Sequence, residues 1–283
     1  MPSKEVLSWL RTRFMPHIWC PGCGHGTIMH ALVRALVGLK KDKANTVLAS
    51  GIGCSSRLVG YIDACTLHTT HGRSLAFATG VKLHNPELTV IDVMGDGDCS
   101  AIGGNHFIHA CRRNIDITAI VMNNNIYGMT GGQSSPTTPA GAWATTTPYG
   151  AVDPSFDLCK LAEGAGASYV ARTTIANPRQ IETFITNGIK KKGFSVIEVL
   201  THCHTQFGRK NDRATPMDNY NYFKEASTPL AKAQTMSPEE LAGKLVCGEF
   251  VNKDVPEYTE QYDKVIAAVK AKGKNSKGAD DNG

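Results

Sequence analysis

Asp96 and Asn124, set among glycines and spaced as a turn, a helix and a strand would space them, carry the most specific chemistry in this sequence. Asp96 lies in Gly95-Asp96-Gly97-Asp98 and Asn124 in Asn123-Asn124-Asn125. A carboxylate and an amide oxygen are hard donors of the kind that octahedral Mg²⁺ takes alongside phosphate. Gly95 and Gly97 carry no Cβ to keep backbone N–H groups away from phosphate oxygens, and a helix that follows directly adds a favourable dipole. The set suits a magnesium-bridged diphosphate. Other phosphate loops fit less well: the chain has no GxxxxGK[ST], and GIGCSS at Gly51 departs from GxGxxG at its third glycine.

A second set of donors is soft. Cys20 and Cys23 stand on a Pro-Gly turn in HIWCPGCGHG, where two thiolates can point at one metal centre. Cys54 follows the run Thr46–Ser50, and Cys203 follows Phe194–Leu200 in Thr201-His202-Cys203-His204. With the turn pair they make a candidate Cys₄ site. CPxCG also suits a zinc knuckle or a redox pair, although a zinc ribbon wants a second CxxC and the sequence has none. Cys203 taken alone serves equally as a structural thiol, and His202 or His204 can stand in for it as a ligand. Cys65, Cys99, Cys111, Cys159 and Cys247 lie in apolar or helical contexts and read as core or surface thiols.

These residues need strands that end at one edge. Leu88 to Met94 is an apolar, β-branched run, Ser100 is placed to cap a helix running to about Arg113, and Ile117 to Met122 gives a second buried strand. In a βαβ unit both strands run parallel, so the Gly-Asp-Gly turn and the asparagines emerge together, where open α/β sheets bind ligands. Upstream, a helix from about Gly26 buries Ile28, Leu32, Val33, Leu36 and Val37. His71-Gly72-Arg73 precedes a helix of small residues, so that His71 and Arg73 can touch a phosphate or a cofactor ring. Ile126–Gly150, rich in Gly, Thr and Pro, reads as a binding loop that brings Thr130 and Gln133 near a ligand. Further on, Asp153 is placed to cap a helix to about Glu163. Ser168–Arg172 is a strand, Asn177-Pro178 starts a helix to about Lys190, and Phe194–Leu200 completes at least five strands. The alternation implies an α/β fold, a parallel sheet flanked by helices.

The 283 residues, 41% hydrophobic and 19% charged, suit one large α/β domain with appendages. Three segments are expected: an N-terminal arm over 1–16, the ligand-binding domain over 17–209, and a C-terminal extension over 210–283. That extension holds a short helix at Ser237-Pro238-Glu239-Glu240, an amphipathic helix from Tyr258 and a disordered GKNSKGADDNG end. No apolar run approaches the roughly 20 residues that span a bilayer, and MPSKEVLSWLRTRF lacks a secretory core, so no membrane and a cytoplasmic location are expected. Nine cysteines, an odd number, argue against a closed disulfide framework. The net charge of +5 sits largely in the Lys-rich end and gives no reason to expect nucleic acid, though a basic face can meet an acidic protein.

A Gly-Asp-Gly turn followed about thirty residues later by Asn-Asn resembles the motif of thiamine diphosphate enzymes. Beyond that, CPGCG, GIGCSS, HTTHGR, GDGD, NNNIYGMTGGQ and the late Cys203, in this order from about His17 to Arg209, resemble the β subunit of the 2-oxoacid:ferredoxin oxidoreductases. The resemblance implies a thiamine diphosphate-binding fold carrying one [4Fe–4S] cluster on Cys20, Cys23, Cys54 and Cys203. It implies Mg²⁺ on Asp96, Asn124 and the Ile126 carbonyl. Gly53, Cys54, Ser55, His71, Gly95, Gly97, Asp98 and Thr130 would line the cofactor. The activity implied is oxidative decarboxylation of a 2-oxo acid to its acyl-coenzyme A, electrons passing through the cluster to ferredoxin, with either direction served by the same residues. Thiamine enzymes use a glutamate on the aminopyrimidine ring, and no glutamate here sits in a suitable motif. The resemblance places it on an α subunit, implying a heterodimer or a dimer of heterodimers.

Arg57, three residues beyond Cys54, is the candidate for pairing with a second substrate carboxylate, which 2-oxoglutarate has and pyruvate lacks. Its alternative is to neutralise the diphosphate or the cluster thiolates. The C-terminal MSPEELAGK also resembles the 2-oxoglutarate branch, which makes 2-oxoglutarate the expected substrate and pyruvate, or a broad specificity, the alternative. A non-oxidative thiamine enzyme with structural zinc, or a zinc-knuckle module with a nucleic-acid-binding tail, are the rival classes.

Overall fold

A computed structural model describes residues 3–277. In chain order its helices and strands are α1 (Lys4–Ser8), α2 (His25–Gly38), β1 (Thr46–Ser50), β2 (Cys65–His68), α3 (Ser74–His84), β3 (Thr89–Gly95), α4 (Gly104–Arg113), β4 (Thr118–Asn123), β5 (Ile126–Tyr127) and β6 (Gln133–Ser134). There follow α5 (Leu158–Gly164), β7 (Tyr169–Thr174), α6 (Pro178–Lys190), β8 (Ser195–Leu200), α7 (Pro216–Ala226), β9 (Ser227–Pro229), α8 (Leu230–Ala233), α9 (Pro238–Leu241), β10 (Leu245–Asn252) and α10 (Tyr258–Lys277).

Eight strands form one sheet in the order β2-β1-β3-β4-β8-β7-β10-β9. Every pairing within it is parallel except that of β10 with β7, and β5 and β6 form a separate antiparallel pair. Every residue of β1, β4 and β8 is buried, which is why these strands read as unbroken apolar runs. Successive side chains leave a strand on opposite faces. Ile120 therefore joins the layer under α2 and α6, with Ile28, Leu32, Leu36, Ile181 and Ile185. Ala119 and Val121 join the layer under α3, α4 and α5, with Leu75, Phe107 and Leu158.

Several local expectations give way. Ser100 does not cap α4: it lies in a π-helical turn over Asp98–Ile102 and its Oγ donates back to the Asp96 carbonyl at 2.6 Å. Asp153 caps nothing, because α5 begins at Leu158 and Asp157 accepts from the Cys159 and Lys160 N–H groups. Beyond Cys203 the chain adds α7, β9 and β10, the last two being strands of the same sheet. Ser237 and Glu240 form a reciprocal cap on α9 as their spacing suggests. Of the expected disordered end, Gly273–Lys277 falls within α10 and the rest lies outside the described residues. No helix among the described residues is long and apolar enough to cross a membrane.

Asn114 ties the sheet to the C-terminal segment. It ends α4 in the left-handed region, with φ of 52°. Its Oδ1 accepts from Ser168 Oγ at 2.7 Å and Phe194 N at 2.8 Å, while Nδ2 donates to the Val255 and Pro256 carbonyls at 3.1 and 3.2 Å. Asn114→Ala strands these buried partners and strains the backbone, so it should cost about 3 kcal/mol in urea unfolding. Asn114→Gly loses the same bonds but fits the turn, and should be about 1 kcal/mol less damaging. Equal losses would show that the side-chain bonds alone matter.

Candidate functional site

The parallel strands deliver their C-terminal ends to one edge. There Asp96 leaves β3, Asn124 leaves β4, Cys54 lies beyond β1 and Cys203 lies beyond β8. Asp96 is buried. Its Oδ2 accepts from Ser135 Oγ at 2.5 Å and Thr137 Oγ1 at 2.7 Å, and its Oδ1 from the Asn124 N–H at 3.4 Å. Burial raises its carboxyl above the usual range, and these donors oppose the rise.

The Asn124 amide atom that faces Asp96 lies 2.8 Å from the Ile126 carbonyl oxygen and 3.1 Å from Asp96 Oδ1. As nitrogen it donates to both. As oxygen it completes a triangle of acceptors with no proton between them, a repulsive arrangement unless a cation sits there. Octahedral Mg²⁺ at 2.0–2.1 Å from its ligands sets neighbouring oxygens about 2.9 Å apart, close to the two separations that the Asn124 amide atom makes. The donor set fits magnesium, with an amide rotation as the switch between the two states.

Asp98 lines the cavity with a carboxylate that is already engaged. Its Oδ1 accepts from His71 Nδ1, from Gly72 N at 2.7 Å and from Ile52 N at 3.3 Å. Its carboxylate thus joins the 51–52 and 71–72 loops and fixes the His71 ring, although it still walls the cavity. A Cβ on Gly51 would collide with that carboxylate, and a Cβ on Gly97 would collide with the Tyr127 ring. Arg73 turns away, donating to the Ile102 carbonyl at 2.7 Å. Thr130 Oγ1 donates to Gln133 Oε1 at 2.6 Å, and only Thr130 of that pair reaches the cavity.

Apart from Arg73 and Gln133, the cofactor-side positions named from the sequence line this one cavity, together with His25, Tyr127 and Met129, which spacing did not single out. Ser135 and Thr137 were likewise not legible, since they lie in a loop without periodicity and act only through Asp96.

A second cavity, of about 280 Å³, adjoins the first and shares Cys54, His25, Asn124, Gly128 and Met129 with it. Cys20, Cys23, Cys54 and Cys203 all line it. Thr205 Oγ1 lies 3.4 Å from Cys203 Sγ and 3.9 Å from Cys20 Sγ. A Cβ built on Gly128 would stand 3.2 Å from Cys203 Sγ and 3.9 Å from Cys54 Sγ, so the missing side chain leaves a cradle between two sulfurs. No three His, Cys, Asp or Glu side chains among the described residues converge on a single point as one metal ion would need. Thiols disposed around a cavity fit a polynuclear cluster better than one zinc ion. Burial, reinforced by the neighbouring thiols, pushes Cys23 up to about 12 and Cys54 up to about 11, so neither is a thiolate until a metal replaces its proton.

Arg57 lies on the thiol cavity and not on the cofactor cavity. Its guanidinium stands 5.9 Å over the Tyr61 ring and its buried Nε has no partner. The other five cysteines are free thiols away from both cavities: Cys65 is exposed on β2, and Cys99, Cys111, Cys159 and Cys247 are buried.

Residues 51–199 match the thiamine pyrophosphate enzyme, C-terminal TPP binding domain. The chain is 52% identical to the 2-oxoglutarate synthase subunit KorB of Methanocaldococcus jannaschii, over 94% of this chain and 98% of that protein. The chain belongs to the β subunits of the 2-oxoacid:ferredoxin oxidoreductases. A second such β subunit, KorB of Archaeoglobus fulgidus, is 49% identical over 96% of this chain and 98% of its own length. Among solved structures, the 2-oxoglutarate:ferredoxin oxidoreductase from Magnetococcus marinus, with 2-oxoglutarate, coenzyme A and succinyl-CoA bound, superposes with a TM-score of 0.84 at 29% identity, covering 95% of this chain and 92% of that one. The β subunits of this family are parts of a larger oxidoreductase, and the thiamine pyrophosphate domain is the part this chain carries.

The Gly51–Asp98 contact is open to a double-mutant test. Gly51→Ala should destabilise the chain by about 1–3 kcal/mol through overpacking. In Gly51→Ala/Asp98→Ala the loss should fall well short of the sum of the single losses, because the colliding group is gone. Additive losses in urea unfolding would mean that the two residues do not press on each other.

Proposed function

We propose that this chain is the subunit that binds thiamine diphosphate through magnesium and one [4Fe–4S] cluster in an enzyme converting 2-oxoglutarate, coenzyme A and oxidised ferredoxin to succinyl-CoA, CO₂ and reduced ferredoxin. One observation carries the reading: a cavity lined by Asp96, Asp98 and Asn124 and a cavity lined by Cys20, Cys23 and Cys203 share the wall that contains Cys54. Thiamine diphosphate supplies a nucleophilic carbon for decarboxylating 2-oxo acids, and an iron–sulfur cluster takes electrons singly, which zinc does not.

The residues divide the work. Asp96, Asn124 and the Ile126 carbonyl would hold the magnesium, and Gly95 and Gly97 keep the backbone open to phosphate oxygens. Asp98, bonded to His71 Nδ1, leaves Nε2 as the ring nitrogen free for the cofactor. Cys20, Cys23, Cys54 and Cys203 would hold the cluster. No glutamate lines the cofactor cavity among the described residues. Met129 and Ile52 on its wall are 48% and 42% exposed, apolar surface that suits an α subunit bringing the glutamate. The preference for 2-oxoglutarate rests on the named relatives. Arg57, placed against the thiols, is better suited to balancing cluster charge than to holding a second carboxylate.

Anaerobically purified protein should hold about four irons with matching sulfide and a broad visible absorbance. Cys203→Ser should lower the iron and change that absorbance. Gly128→Leu, which fills the cradle between two sulfurs, should give folded protein without iron. Zinc in place of iron would leave a non-oxidative thiamine enzyme as the reading. In the assembled enzyme Arg57→Ala should change the kinetics with 2-oxoglutarate and pyruvate by the same factor. A selective rise in KM for 2-oxoglutarate would instead put the guanidinium on the substrate's second carboxylate.

A further inference from the structure

His25 opens α2 and lines both cavities while only 1% exposed. Its Nδ1 lies 3.0 Å from Cys23 Sγ. The ring cannot easily swing away from that sulfur. Trp19 packs against it at 5.6 Å between ring centroids, and Trp19 is itself held by its Nε1–H donating to the Cys54 carbonyl at 2.7 Å. On the other side of the turn, a Cβ at Gly24 would collide with Thr201 Oγ1 and Ile175, so the CPGCGH backbone is pressed against the segments that end β7 and β8. The turn that presents Cys23 thus also fixes the imidazole two residues later.

Other polar groups near the sulfurs are less confined. Thr205 is half-buried, and its hydroxyl lies within reach of two sulfurs, with rotation or water able to replace either contact. His202 and His204 line the thiol cavity without hydrogen bonds at His202 Nδ1, His202 Nε2 or His204 Nδ1. His25 is the histidine with a ring nitrogen at hydrogen-bond distance from an expected ligand sulfur.

We propose that His25 donates an Nδ1–H···Sγ hydrogen bond to Cys23 when that thiolate ligates the cluster, and that this bond raises the cluster's reduction potential. The inference rests on the cluster assignment above. Its physical basis is simple. An added electron increases negative charge on the cluster and its cysteine sulfurs, so a donor aimed at one sulfur stabilises the reduced state more than the oxidised one. The ring is 1% exposed, and a hydrogen bond made in a low-dielectric wall is electrostatically stronger than one on the surface. Because the same ring walls the cofactor cavity, it would tune the acceptor where electrons enter it. His25 is a positioning residue in this role, since it acts through Cys23.

The test is a redox titration of the assembled holoenzyme, followed by EPR and visible absorbance, on wild type, His25→Leu and His25→Asn. Leucine fills the space without a donor, whereas the asparagine Nδ2 reaches about as far as the imidazole Nδ1. At a fixed potential the leucine variant should hold about tenfold less reduced cluster relative to oxidised, equivalent to about 59 mV for a one-electron couple, and asparagine should recover most of the shift. A fully iron-loaded leucine variant with the wild-type midpoint would overturn the proposal while leaving the cluster assignment intact. Wild-type protein without iron would overturn both. Should leucine prevent cluster insertion, pulsed EPR on the reduced wild type with ¹⁵N-histidine should show coupling to a ring nitrogen that His25→Asn loses. Absence of any histidine coupling in the wild type sinks the proposal without needing a variant.

Discussion

A buried carboxylate with hydrogen-bond donors but no counter-ion is the constraint around which this site is built. Asp96 is 1% exposed and forms no ion pair among the described residues. Removing such a charge from water is costly, and hydroxyls and a backbone N–H offset only part of the cost. The donors come from Ser135 and Thr137, in the long segment after β4, so the carboxylate also fastens that segment to the end of β3. Thr138 adds to the fastening by donating to the Asn125 carbonyl at 2.6 Å. A divalent cation among Asp96, Asn124 and the Ile126 carbonyl would supply the missing positive charge. It would also lock the ends of β3 and β4 together, which makes cofactor binding and loop order one equilibrium.

The parts that the sequence made legible are those governed by local pattern. Continuous apolar runs marked β3, β4 and β8 because both faces of a central parallel strand are covered, and the four-residue rhythm of Ile28, Leu32 and Leu36 marked α2 because one side faces the sheet. The glycine, aspartate and asparagine positions were visible because strand ends in a βαβ unit must share an edge. Strands toward the two ends of the sheet were not. β2 is only partly buried and β10 alternates irregularly around Glu249, where its register against β7 shifts, so neither shows an uninterrupted apolar run. Directions of side chains were the other failure. Nothing in spacing tells that Asp98 turns to His71, that Arg57 lies on the thiol side, or that Ser100 folds back on its own turn. The first two depend on neighbours distant in sequence, and the third on a π-helical turn that residue spacing does not signal.

Cys54 joins the two halves of the site by serving them with different atoms. Its thiol faces the cavity shared with Cys20, Cys23 and Cys203, while its carbonyl accepts from Trp19 and its neighbours Gly53 and Ser55 line the cofactor side. No separate spacer is needed between the two chambers. The partition is one turn of backbone with His25, Gly128 and Met129 around it, and the small residue Gly128 lets the sulfurs approach. A wall this thin is favourable for passing electrons and unforgiving of added volume, which is consistent with glycines crowding both of its sides.

The antiparallel pairing of β10 with β7 has a consequence for synthesis on the ribosome. β7 is complete at Thr174, yet the strand that covers its open side extends to Asn252. At about 5–20 residues per second the intervening chain takes roughly 4–16 s to emerge. Once β8 has joined β7 to the nascent sheet, and until β10 is made, that sheet displays a row of unpaired N–H and C=O groups open to pairing with another chain. The late segment therefore acts as an intramolecular cover for the cofactor-bearing sheet, and its Pro229 in the outermost short strand leaves a poor template for further growth.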